Sequence, residues 1–150
     1  MTPAPLEVTG ADEHDDVVCQ VVRGTLEAEV VLRTDDVVAF LDIHPLFLGH
    51  TLVCPVRHAD TLLDLPVDGM APLLTAAQRV ARAQEAALGA QGTFVAVNNV
   101  VSQSVHHLHV HVVPRTKGDG LRGFFWPRKR YAEGERAAYG TLLREALAAG

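Results

Sequence analysis

An α+β fold built on an antiparallel sheet of about five strands, with one long central helix and another at the C-terminus, is what this 150-residue sequence predicts. Three observations lead to it. Short runs of β-formers separated by turn residues fill residues 29–54, and residues from about Val67 to Leu88 place Leu73, Leu74, Ala77, Val80, Ala81, Gln84 and Leu88 near helical spacing. The run His106–Pro114 alternates with period two, Leu108, Val110 and Val112 against His107, His109 and His111. Such a strand has one apolar face and one imidazole face.

The elements follow in order. Residues 1–14, Pro-rich and polar, read as a mobile arm. Asp15 or Asp16 caps a short amphipathic helix through Val17, Val18, Val21 and Val22 that stops at Gly24, with a strand as the alternative for so short a run. Glu29–Arg33 and Val37–Asp42 flank the turn Thr34-Asp35-Asp36 as a hairpin. Ile43–Gly49, holding Pro45 and Gly49, is a loop, and Thr51–Cys54 a buried strand stopped by Pro55. Gly89 ends the long helix, Thr93–Asn98 and His106–Pro114 are two more strands, and Tyr131–Ala149 is a helix interrupted by Gly134 and Gly140. The domain is expected over 15–130, with 131–150 a helical extension packed on it.

Composition narrows the class. A chain of this length buries roughly 70% of the surface its unfolded form exposes, so the core needs no staples. Cys19 and Cys54 lie in apolar neighbourhoods and read as reduced, buried thiols. With no basic and apolar leader and no run of about 18 apolar residues, the expectation is a cytoplasmic protein without a membrane span. A net charge of −5 argues against general nucleic-acid binding. The stretch after the histidine strand is locally basic, with Arg115, Lys117, Arg122, Arg128, Lys129 and Arg130 against Asp119. It either draws an anionic substrate or forms a solvated face.

Three imidazoles on one strand face admit three readings. Residues i and i+2 can share a metal ion, but same-face positions about 6.7 Å apart leave His107 and His111 about 13 Å apart, too far to meet one zinc. A two-histidine site and a structural role remain alternatives. The alternation favours nucleophilic catalysis, in which the middle ring attacks phosphorus while its neighbours hold its tautomer and move leaving-group protons.

The run His107-Leu108-His109-Val110-His111-Val112-Val113 resembles the signature of the histidine triad (HIT) superfamily. The upstream block Ala39-Phe40-Leu41-Asp42-Ile43-His44-Pro45, then Gly49-His50-Thr51-Leu52-Val53-Cys54-Pro55 and His58, is similar to that family's other hallmark, so the likeness runs from about Asp16 to Arg130. It implies a HIT-like α+β homodimer that hydrolyses or transfers nucleotidyl groups from a purine nucleoside phosphoramidate or dinucleoside polyphosphate. It also implies roles: His109 as the nucleophile, His111 near the α-phosphate and leaving group, His107 behind, and His50 as a fourth histidine. By the same resemblance Gln103 and Ser104 contact phosphate, Asp42 binds the ribose hydroxyls, and Val18, Val21, Leu26, Phe40 and Ile43 line the nucleobase slot.

The sequence departs from the family pattern in two places. Asn98-Asn99-Val100-Val101-Ser102-Gln103 lacks the family's loop glycine, which leaves Asn98 or Asn99 as the contacting asparagine, with Asn98 preferred. Relatives with a Cys-x-x-Cys pair hold structural zinc; here the pair reads Asp16-Val17-Val18-Cys19. A mixed site of Asp16, Cys19, His50 and His107 is chemically allowed but not expected, and no cofactor is required. The aromatic run Phe124-Phe125-Trp126 reads as core or dimer packing, or as a lip over the nucleotide. Beside the enzyme stands a second class, a nucleotide- or metal-binding regulatory protein with little turnover.

Overall fold

The computed structural model describes residues 14–121 and 128–150; the arm before His14 and the aromatic run Phe124–Trp126 lie outside them. Two units are described separately, one through Asp119 and one from Gly120. The first holds α1 (Val17–Arg23), β1 (Val30–Arg33), β2 (Val37–Leu41), β3 (Thr51–Pro55), α2 (Val67–Leu88), β4 (Gly92–Ala96) and β5 (Val110–Arg115), with a single 3₁₀ turn at Leu62–Asp64 before α2. The second holds α3 (Glu135–Ala149). No helix among the described residues is long and apolar enough to cross a membrane.

The five strands form one antiparallel sheet in the order β1-β2-β3-β5-β4. Its pleat sorts side chains to two faces. Val37, Ala39, Val53, Val110 and Val112 turn toward α2 and pack with Leu73, Ala76, Ala77 and Val80. Val38, Phe40 and Cys54 turn the other way, onto Val18, Val21 and Val22 of α1. The predicted apolar face of the triad strand is therefore real, and Leu108, 1% exposed, joins the α2-side core.

Local chemistry explains the helix ends. Asp16 Oδ1 accepts the Cys19 N–H at 2.9 Å at the start of α1, and Gly24 ends it with φ +76°, a conformation costly for any residue with a Cβ. Gly89 ends α2 with φ +69°.

Three boundaries depart from the sequence reading by more than one residue. Strand β5 begins at Val110, not His106, because the Leu108 N–H donates to Ala59 O at 2.7 Å outside the sheet ladder. Strand β4 ends at Ala96 and not Asn98. Helix α3 begins at Glu135 because Gly134 is left-handed at φ +79°, so Tyr131–Glu133 stay outside it.

Candidate active site

One row of cross-strand partners builds the floor of the site: Phe40 opposite Leu52, Leu52 opposite His111, His111 opposite Ala96. This row lies on the α1 face. A cavity of about 530 Å³ flanked by Leu41, Thr51, Val80 and Gln84 opens on the α2 face instead and includes none of the triad histidines.

Hydrogen bonds fix the ring tautomers. His109 Nδ1 lies 2.7 Å from the main-chain carbonyl of His107, which can only accept, so Nδ1 carries the proton. A neutral His109 then presents an Nε2 lone pair, with no hydrogen-bond partner for it among the described residues. The ring is 6% exposed. A second chain runs through His50, whose Nδ1 accepts the Leu46 N–H at 3.1 Å. Its proton therefore sits on Nε2, 2.9 Å from His111 Nδ1, which accepts it. That assignment leaves the His111 proton on Nε2.

Burial keeps this chain neutral. Loss of hydration pushes His111 down to about 4, reinforced by His109 and His50. His50 is lowered by burial as well, partly offset by Asp42, whose Oδ2 is 3.7 Å from His50 Nε2. Asp42, His50 and His111 lie close enough to be considered as metal ligands. The tautomers argue otherwise, since both nitrogens between the rings are engaged in one N–H···N bond held by Leu46.

The fourth histidine expected at a metal site is a different residue. Asp16, Cys19, His58 and His107 converge, each offering a donor atom within 4.8 Å of the others. His50 immediately precedes β3 and meets His111, whereas the chain leaving β3 at Pro55 carries His58 back over the start of α1. This corrects the expected set of Asp16, Cys19, His50 and His107. Asp16 Oδ2 is 2.9 Å from His58 Nδ1 and 3.2 Å from Cys19 Sγ, and Asp16 Oδ1 is 3.2 Å from His107 Nδ1. His107, fully buried, donates Nε2–H to Pro55 O at 2.8 Å, which leaves its Nδ1 lone pair facing the Asp16 carboxylate.

The donor set fits zinc. Two lone pairs, a carboxylate and a thiol aimed at one point repel one another unless a proton or a cation lies between them. Burial raises the Asp16 carboxyl, but the Cys19 N–H, the thiol and His107 outweigh it and hold it below its ordinary value. Burial and the adjacent Asp16 push the Cys19 thiol up to about 12, the reverse of what a bound cation would do. His107 is lowered by burial.

The remaining predicted residues divide. Asp42 Oδ1 accepts the His44 N–H at 2.9 Å at the rim of the row; Leu26 and Ile43 are exposed, Ile43 at 85%. Val18 and Val21 are buried against Phe40 and Val22 and offer no surface to a base. Asn99 Oδ1 is spent on the Leu62 N–H at 3.0 Å, while Asn98 is exposed two residues beyond Ala96, the partner of His111. Gln103 does not face open solvent as a phosphate contact: its Oε1 accepts the Val100 N–H at 2.9 Å and its Nε2 donates to Asp60 O at 2.6 Å, clamping the loop. Ser104 is exposed just before the triad.

The fold and the alternating imidazoles define a histidine-triad domain. A model of the HIT domain matches residues 23–118. The HIT-like protein Rv1262c of Mycobacterium tuberculosis, itself named uncharacterized, is 38% identical over 137 residues, spanning 88% of this chain and 92% of that protein. Adenosine 5'-monophosphoramidase hnt1 of Schizosaccharomyces pombe is 30% identical, over 85% of this chain and 94% of that protein. A zinc-bound histidine triad family protein from Mycobacterium smegmatis matches with TM-score 0.68 and 38% identity, over 88% of this chain and 92% of that one. The chain belongs to the HIT family.

Proposed function

We propose that the chain is a nucleotidyl hydrolase or transferase cleaving at the α-phosphate of a purine nucleoside phosphoramidate or dinucleoside polyphosphate, working as a homodimer in the cytoplasm. The observation that carries this reading is the His109 ring, its Nδ1 proton held by His107 O and its Nε2 without a partner among the described residues. His109 Nε2 attacks the phosphorus atom and forms a P–N bond as the bond to the leaving group breaks. The His111 Nε2–H donates a hydrogen bond to the leaving nitrogen or oxygen as charge develops there, and that atom takes its proton from solvent. Water then attacks phosphorus, releasing its proton to solvent, and the bond to His109 breaks to release the nucleoside monophosphate. Asp42 accepts ribose hydroxyls, and Asn98 and Ser104 donate to phosphate oxygens.

Zinc belongs to this reading as a structural ion held by Asp16, Cys19, His58 and His107. It would tie α1, the turn after β3 and the triad segment together, with four protein donors and no open position for catalysis. The same cluster favours the second reading, a metal- and nucleotide-binding protein with little turnover.

The test is to incubate the protein and His109→Ala with an adenosine phosphoramidate and with diadenosine tetraphosphate. AMP release by the parent and none by the variant supports the enzyme. AMP binding without turnover of either substrate moves the assignment to the second reading.

A further inference from the structure

Asp60 touches the metal cluster from outside. Its Oδ1 lies 2.6 Å from His58 Nε2, on the far side of the ring from Asp16, and its main-chain carbonyl accepts the Gln103 side chain. The side chain is 64% exposed, and the His14 ring stacks on His58 at 3.7 Å. His107 has the corresponding outer acceptor in Pro55 O. Both histidines of the cluster thus have an oxygen acceptor outside Nε2 and turn Nδ1 inward.

We propose that Asp60 is a positioning residue for the ion: its carboxylate keeps the proton of His58 on Nε2 so that Nδ1 is free to bind the metal. The inference rests on the zinc reading above and extends it to a residue that contributes no donor atom to the cluster. Without Asp60, a neutral His58 satisfies itself by donating Nδ1–H to Asp16 Oδ2, 2.9 Å away. The nitrogen the ion needs is then protonated, and one face of Asp16 is occupied too. A carboxylate behind a ligating histidine also makes the ring a stronger donor.

The experiment measures zinc affinity of the full chain by competition with a chromophoric chelator, for wild type, Asp60→Ala and Asp60→Asn. Alanine is expected to weaken zinc about 10- to 100-fold, and asparagine, whose carbonyl still accepts the Nε2–H, to recover most of that loss. The metal-free forms should melt together, since an exposed side chain is changed. Cobalt(II) should retain the near-ultraviolet thiolate band of Cys19 in all three. Equal affinity for Asp60→Ala and wild type overturns the Asp60 role while zinc binding stands, and so does an asparagine variant as weak as alanine. A wild type that binds no zinc overturns the zinc reading and this inference together.

Discussion

The main-chain carbonyl of His107 holds the Nδ1 proton of His109 at 2.7 Å, while the side chain of His107 is locked between Pro55 and the Asp16 carboxylate. One residue thus faces two sites. Anything that lets the His107 backbone shift also loosens the ring proposed to attack phosphorus.

Substitution of His107 therefore acts twice. The ring is fully buried, so His107→Ala leaves a cavity and an unpaired Pro55 carbonyl, for an expected loss of roughly 2–4 kcal/mol. Turnover should fall as well. His109→Ala is the contrasting case, removing AMP release by at least about a thousandfold. Urea unfolding and single-turnover assays on both variants separate these effects. Equal stability of His107→Ala and wild type would contradict this account.

Much of this was legible beforehand, and what was not has a common cause. A cap at Asp15 or Asp16, the stop at Gly24, the span Val67–Leu88 and the inward parity of Leu108, Val110 and Val112 follow from local rules, and the structure has all of them, with Asp16 as the cap. His58 as the partner of Asp16, and Gln103 as a clamp on Asp60 O, depend on how the chain after β3 returns past α1 and the loop before the triad. No spacing in the sequence encodes that return. The start of β5 shifted for the same reason, since the acceptor of the Leu108 N–H is Ala59, 49 residues earlier in the chain.

Acid should destabilise the fold before it protonates the native histidine chain. His111 is pushed down to about 4 by burial, from an unfolded value of 6.5, and His50 is lowered too. Between pH 6.5 and 4 the unfolded chain binds protons that the native rings refuse, so stability present above pH 6.5 is lost as pH falls toward 4. Discounted for the partial exposure of His111, the loss from this residue is on the order of 1–2 kcal/mol. Melting temperatures at pH 7.5 and 5.0 check it for wild type and His111→Gln, and the variant should lose less.

Removal of metal should cost stability, and acid should promote that removal. Zinc binding requires Cys19, pushed up to about 12 in the metal-free cluster, to give up its proton. Affinity should therefore rise with pH. Purification without chelator is expected to give one zinc per chain, and chelator treatment to lower the melting temperature. Cys19→Ser should show neither the zinc nor the chelator effect. A chelator effect equal in wild type and Cys19→Ser would place the ion elsewhere.

The loop before the triad holds two left-handed residues other than glycine, Val100 at φ +66° and Ser102 at φ +62°. For β-branched Val100 that conformation costs about 1–2 kcal/mol, because its Cβ crowds the neighbouring carbonyl. Gln103 holds the strain in place through the Val100 N–H and Asp60 O, and Asn99 anchors the loop to Leu62. Glycine relieves the steric cost but adds about 0.5–1 kcal/mol of unfolded-state entropy. Val100→Gly is thus expected to be neutral or stabilising by up to about 1 kcal/mol, opposite to the usual effect of introducing glycine. Gln103→Ala removes the clamp and should destabilise by about 1–3 kcal/mol through the orphaned Asp60 carbonyl and Val100 N–H. If the clamp matters chiefly in holding Val100, Gln103→Ala alone lets Val100 relax, a relief the glycine background no longer offers, so the double variant Val100→Gly/Gln103→Ala should lose more than the two single effects summed. Chemical denaturation of the three variants measures that coupling, and strict additivity would mean that Gln103 acts without restraining Val100.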